Sequence, residues 1–205
     1  MAAAVSAPIR LSLGLAGTHM TPEEFDAVED CDEAYRYELI HGVLVVTPWP
    51  LPAETGPNET LGHWLLLYRD THPKGSILDG TLPEQYVRTS DSRRRVDRLI
   101  WVGLGRTPNR NRDLPSIAVE FVSRSRRDRQ RDYVQKRQEY LALGIQEYWI
   151  IDRFRRTLTI ARPGRAQDQV VREGKVYKPA LLPGFELRLA DLLAVADQWA
   201  EAENA

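Results

Sequence analysis

Residues 116–151 carry the pattern that most limits what this chain can fold into. Ser116–Val122 contains the apolar run Ile117-Ala118-Val119, which reads as a buried central strand. Residues 128–143 follow with Tyr133, Lys136, Tyr140 and Leu143 spaced three and four apart, the period of an α-helix, and Gly144 stands where a helix stop belongs. Ile145–Ile151 is strand-like again. A strand, a crossover helix and a further strand within about 35 residues form a βαβ-like unit, and the fold class is α/β.

The other elements are consistent with that class. Thr21-Pro22-Glu23-Glu24 has the cap, proline and glutamate of a helix start, predicting a short helix near 22–29. Tyr35 to Thr47 is rich in aromatic and β-branched residues and is broken by His41-Gly42, predicting two strands joined by a tight turn. A proline-rich loop (Pro48, Pro50, Pro52, Pro57) precedes an amphipathic helix over 58–71, with Leu61, Trp64, Leu65 and Tyr68 on one face. Short strands are expected at Ser76–Leu78, Glu84–Arg88 and Val96–Val102. An antiparallel ending is expected at Thr157–Ala161, Gln169–Arg172 and Lys175–Pro179, turning at Glu173-Gly174, with a terminal helix over 190–201. No repeat or domain-sized linker interrupts the chain, so residues 20–205 are expected to form a single domain. Residues 1–19 are Ala-rich and lack an early basic cluster, and Arg10 interrupts any signal-peptide core, so they read as a loosely structured N-terminal extension.

At 205 residues and 42% hydrophobic content the chain can build a core without staples. Its one cysteine, Cys31, rules out a disulfide framework and a cysteine-based zinc site, and a reducing, cytoplasmic setting is the expectation. The longest apolar runs, such as Trp64-Leu65-Leu66-Leu67-Tyr68, fall far short of the roughly 20 residues that cross a bilayer, so no membrane partner is expected.

The formal net charge of −1 hides a strong segregation. Between Arg88 and Arg137 there are 15 basic and 6 acidic residues, leaving 13 basic and 23 acidic residues elsewhere. The basic window is almost entirely arginine, whose planar fork matches phosphate geometry. Arg93, Arg94, Arg95, Arg124, Arg126 and Arg127 are the candidate contacts to a nucleic-acid backbone. Solvated loop charges are the competing explanation.

Three acidic residues lie in strands where a carboxylate is costly unless paired or bound to metal: Glu38 in Tyr37-Glu38-Leu39-Ile40, Asp97 after three arginines, and Glu120 directly after Ile117-Ala118-Val119. Two carboxylates at the ends of adjacent strands can hold a divalent cation, and Mg²⁺ commonly takes one or two, with water and phosphate oxygens completing its shell. A surface position or an arginine partner is the alternative for any one of them. Lys136 is one of four lysines beside 24 arginines, and it lies mid-helix between Tyr133 and Tyr140. Packed on the sheet, its ammonium would need those carboxylates; on the surface, Asp132 four residues earlier would form an ordinary helical pair worth about 0.3–0.5 kcal/mol.

The string Tyr37-Glu38-Leu39-Ile40-His41-Gly42-Val43-Leu44, the strand end Val119-Glu120-Phe121-Val122-Ser123, the series Asp132, Lys136, Tyr140, Gly144, and Glu147-Tyr148-Trp149-Ile150-Ile151-Asp152 resemble the Uma-type restriction endonuclease family. That family is a branch of the PD-(D/E)XK nuclease superfamily, and the similarity runs from about Met20 to Pro163. The resemblance implies a restriction-endonuclease-like fold, with a central mixed β-sheet of four or five strands flanked by helices, and Mg²⁺-dependent cleavage of DNA, with Mn²⁺ as a substitute. It implies Asp97, Glu120 and Glu38 as the metal carboxylates, helped by the Phe121 carbonyl, and Lys136 as the catalytic lysine. The sequence departs from the pattern at Val96, where proline is usual, at Val122, where the strand lysine is usual, and at Asn58-Glu59, where a histidine is common. Two-fold cutting by related nucleases is compatible with a homodimer. The alternatives are a catalytically inert DNA-binding or protein-interaction domain on the same fold, and self-association through the arginine window. A serine-hydrolase triad is set aside because no Gly-x-Ser-x-Gly elbow is present.

Overall fold

A computed structural model of the chain describes residues 9–123 and 131–202. In chain order these form β1 (Arg10–Leu11), α1 (Pro22–Asp26), β2 (Asp30–Cys31), β3 (Tyr35–Ile40), β4 (Val43–Pro48), α2 (Pro52–Thr71), β5 (Leu78–Arg88), β6 (Arg93–Val102) and β7 (Ile117–Phe121). A π-helical stretch, Arg131–Lys136, then leads into α3 (Arg137–Leu143), followed by β8 (Glu147–Asp152), β9 (Thr157–Ala161), β10 (Gln169–Arg172), β11 (Val176–Tyr177), β12 (Leu187–Arg188) and α4 (Leu189–Ala202). Two compact units emerge: Met1–Trp49 with Tyr86–Arg95, and Pro50–Gln85 with Val96–Ala205. The single domain expected over 20–205 thus contains parts of both.

In the first unit β3 and β4 form the expected hairpin, antiparallel from Tyr35↔Pro48 to Ile40↔Val43. His41 and Gly42 both adopt positive φ (48° and 73°), the geometry of a type I′ turn whose twist matches the strands. Leu39 also pairs with Arg93 at the start of β6. Thr21 caps α1 with the reciprocal Glu24 contacts that the sequence predicts, although the helix stops at Asp26. The described part of the N-terminal extension carries structure: β1 runs parallel to β2, and Leu11 is buried with Met20, Phe25, Tyr37, Leu39 and Leu44.

In the second unit the βαβ-like pattern is realised. β7 runs parallel to β8 in the register Ile117↔Glu147 to Phe121↔Ile151, and β6 lies antiparallel on the other side of β7. β9 and β10 extend the sheet antiparallel beyond β8, so that it is mixed. Its core joins Ile100, Val119, Trp149, Ile151 and Leu158 to Leu61 and Leu65 of α2 and to Leu189 and Leu192 of α4. Gly56 lets α2 approach α4 closely, since a Cβ there would lie 2.5 Å from the Trp199 ring.

Other expectations change as well, the strand expected from Val96 beginning at Arg93. The helix expected over 58–71 begins at Pro52, because proline at the first helical position loses no hydrogen bond, and the buried Pro57 is accommodated inside. Of the strand expected at Ser76–Leu78 only Leu78 is extended, Gly75–Ile77 forming a 3-10 turn, and one continuous β5 runs from there through the expected Glu84–Arg88. The segment after the Glu173-Gly174 turn does not pair with β10; Val176–Tyr177 pairs with β12 instead.

Candidate active site

β6 and β7 stay in register from Ile100↔Ile117 to Arg98↔Val119. One step further the same register sets Asp97 opposite Glu120, and opposed residues of an antiparallel pair share a face, with Cβ atoms about 4.5–5.5 Å apart. There the ladder gives way to side chains: the Phe121 N–H donates to Asp97 Oδ2 at 2.7 Å, and the Asp97 carbonyl accepts from Asn58 Nδ2 at 2.8 Å.

The π-helical stretch brings two more charged groups to Glu120. Lys136 is only 2% exposed and its Nζ donates to Glu120 Oε1 at 2.7 Å. Asp132, one turn earlier and equally buried, lies 3.6 Å from the same ammonium, and Arg131 approaches Asp132 at 3.9 Å. The Lys136–Asp132 contact expected of a surface pair therefore exists, but in the interior and together with Glu120. Tyr140 Oη lies 3.5 Å from Glu120 Oε1, and Tyr148, edge-on to Tyr140, donates its hydroxyl to the Asp132 carbonyl. Burial lifts the Glu120 carboxyl well above the usual carboxylate range; Lys136 opposes the shift, and the Asp97 and Asp132 charges add to it.

Among the described residues no group of three or more His, Cys, Asp or Glu side chains is arranged to hold a metal ion. The Asp97 and Glu120 carboxylates are hard oxygen donors, the kind that Mg²⁺ or Mn²⁺ takes and a soft thiolate-seeking metal does not. Glu38, expected as a third ligand, is buried in the first unit, where its Oε1 accepts the Arg95 N–H at 3.0 Å.

The expected phosphate contacts divide. Arg93 is buried, with its guanidinium forked onto Asp26 at 2.8–3.0 Å and donating to the Thr89 and Ser92 carbonyls. Arg94 is 0% exposed. Both are expected from the sequence as contacts to a nucleic-acid backbone, and their burial removes them from its reach. Arg95 remains partly exposed, with its guanidinium over the Trp49 ring at 4.8 Å. Arg124, Arg126 and Arg127 lie outside the described residues.

Sequence reasoning misses Asn58 and the interior position of Asp132. The Asp132, Lys136, Tyr140 spacing was a signal for the second, since these residues share a helical face. Asn58 stands out in the sequence only as a departure from the family pattern, and nothing in the local periodicity gives it a role.

The crystal structure of "a putative nuclease belonging to DUF820" from Anabaena variabilis ATCC 29413 is similar at a TM-score of 0.70 and 17% identity, covering 86% of this chain and 99% of that one. At this identity the likeness shows the fold, which is restriction-endonuclease-like. No curated protein matches the chain. The model of the Uma2 family, described as "Putative restriction endonuclease", matches residues 22–192. That span holds Glu38, Asp97, Glu120 and Lys136 alike, and the chain belongs to the Uma2 family.

Proposed function

We propose that the chain is a Mg²⁺-dependent endonuclease that hydrolyses DNA phosphodiester bonds, with Mn²⁺ able to replace Mg²⁺. Asp97 and Glu120 would hold the ion, which when bound supplies Lewis acidity at the scissile phosphate and a lowered pKa for the attacking water. The Phe121 N–H fixes the Asp97 carboxylate, and Glu120 and Asp132 fix the Lys136 ammonium. From that position Lys136 would donate to a phosphate oxygen as negative charge builds on it, a preorganised contribution of about 3–4 kcal/mol by comparison with single donors elsewhere. Arg95, with Arg124, Arg126 and Arg127, would contact backbone phosphates, giving affinity without sequence information.

The observation that carries this reading is the buried Lys136–Glu120 pair at the point where Asp97 and Glu120 end the β6–β7 ladder. Labelled duplex, branched and single-stranded DNA incubated with Mg²⁺, Mn²⁺ or EDTA tests it, alongside Asp97→Ala, Glu120→Ala and Lys136→Ala. Cleavage that persists in EDTA, or in the two carboxylate variants, would refute the mechanism. A second reading is an inert domain on the same fold, and the burial of Arg93 and Arg94, which takes two cations away from DNA, favours its protein-interaction form over its DNA-binding form. Salt-sensitive binding to DNA without cleavage under any metal is the outcome expected of an inert DNA-binding domain.

A further inference from the structure

We propose that Asn58 is a positioning residue that holds the Asp97 peptide in place from the opposite side of the sheet. The inference rests on the metal-site reading above and adds a determinant of that site.

Asn58 lies on α2, is buried, and uses both ends of its side chain. Its Nδ2 donates to the Asp97 carbonyl at 2.8 Å, and its Oδ1 accepts from Arg98 Nε at 2.7 Å. Arg98 Nη2 donates to the Asn58 carbonyl at 2.9 Å, and Nη1 to Thr81 Oγ1 at 3.2 Å. Gly62, one turn along α2, leaves the space the guanidinium occupies: a Cβ there would lie 2.6 Å from Arg98 Nη2.

Side chains alternate along a strand, so Arg98 faces α2 while Asp97 faces the other way, toward the side shared with Glu120. Asn58 therefore reaches Asp97 only through its carbonyl. That is where help is needed, because the regular β6–β7 register ends at Arg98↔Val119. Burying a guanidinium in a sheet costs more than an aliphatic side chain would. The Asn58–Arg98 arrangement supplies, in return, a fixed peptide within β6, next to the last pair with β7, where the ligand is carried. The buried amide is a specific requirement: aspartate at 58 would keep an acceptor for Arg98 and lose the donor to Asp97.

The test is Mn²⁺ binding to the full chain by titration calorimetry, with Asp97→Ala as the reference for loss of the site and thermal unfolding recorded in parallel. Asn58→Asp is expected to bind Mn²⁺ roughly 10- to 100-fold more weakly, the usual effect of removing a group that orients a metal ligand, with unfolding shifted by only a few degrees. Asn58→Ser gives the same reading if the buried charge of Asn58→Asp unfolds the chain. Thr81→Val, which loosens Arg98 and leaves the Asn58 donor to Asp97 in place, is expected to lower the unfolding temperature and weaken Mn²⁺ binding less than about 3-fold. Wild-type affinity in the Asn58 variants, or equal weakening in Thr81→Val, would overturn the inference alone. Absence in the wild type of any Mn²⁺ binding that Asp97→Ala removes would refute the metal site and this inference together.

Discussion

Lys136 Nζ and Glu120 Oε1 lie 2.7 Å apart with almost no solvent access to either side chain. Removing one partner of a buried pair strands the other in a medium that disfavours its charge, at a cost of about 3–5 kcal/mol, whereas removing both is far cheaper. Lys136→Met and Glu120→Gln are each expected to lower unfolding free energy by about 3 kcal/mol in urea titrations. The double variant should lose less than the sum, the non-additivity that marks direct coupling. Additive losses would show that the two groups do not depend on one another.

Arg93 and Arg95 stand two residues apart and should respond to mutation in different ways. Arg93 forks onto Asp26 and two backbone carbonyls in the interior, so Arg93→Ala is expected to cost about 2–3 kcal/mol of stability. Arg95→Ala should cost less, about 0.5–1 kcal/mol for the guanidinium stacked on Trp49. If Arg95 contacts a phosphate, the same change weakens DNA binding at every sequence and lowers the slope of log affinity against log salt by about 1. Salt titrations of the wild type and both variants separate the roles; an unchanged slope in Arg95→Ala removes it from the interface.

The hairpin turn of the first unit gives a pH signature of its own. Asp91 accepts hydrogen bonds from His41 Nδ1 at 2.8 Å and from Ser92 and Thr89, which hold its carboxyl down to about 2. Its value in the unfolded chain is about 3.9. A carboxyl lowered on folding adds stability that is complete above the unfolded value and is lost as pH falls through the folded one. The side chain is half-exposed, so screening keeps the contribution below about 1 kcal/mol. Asp91→Asn should therefore be less stable than wild type at pH 6, with the gap closing between pH 4 and pH 2. A gap as large at pH 2 as at pH 6 would show that charge is not its source.

What the sequence disclosed follows from local physics. The His41-Gly42 turn, the βαβ-like order and the strand position of Glu120 are written in short-range periodicity and turn chemistry, and each is found where expected, whereas the strand expected from Val96 begins at Arg93 and sets Asp97 in its middle. The fate of the arginines is not local. Arg93 is neutralised by Asp26, 67 positions away, so no charge count over a window reveals that it is interior. The prolines of 50–57 conceal the first turns of α2, because proline tolerated at a helix start looks the same in sequence as proline in a loop. Asn58 is silent for a related reason: its partners are Arg98 and the peptide of Asp97, 40 and 39 residues on.

Gly62 offers a test of how tightly the Asn58–Arg98 arrangement is built. A methyl at this position would sit 2.6–2.7 Å from three atoms of the Arg98 guanidinium. The far end of an arginine is usually free to swing aside, and then such a clash costs little. Here hydrogen bonds to Asn58 and Thr81 hold it, and the strand behind it leaves Arg98 buried. In an unconstrained helix interior alanine would be favoured over glycine by about 1 kcal/mol. Overpacking a fixed neighbour reverses that sign, at a cost of about 1–3 kcal/mol. Gly62→Ala should thus destabilise the chain in urea titrations, and combining it with Arg98→Met, which removes the obstructing head group, should recover part of the loss. If Gly62→Ala stabilises the chain, the guanidinium is mobile and the arrangement is looser than its hydrogen bonds indicate.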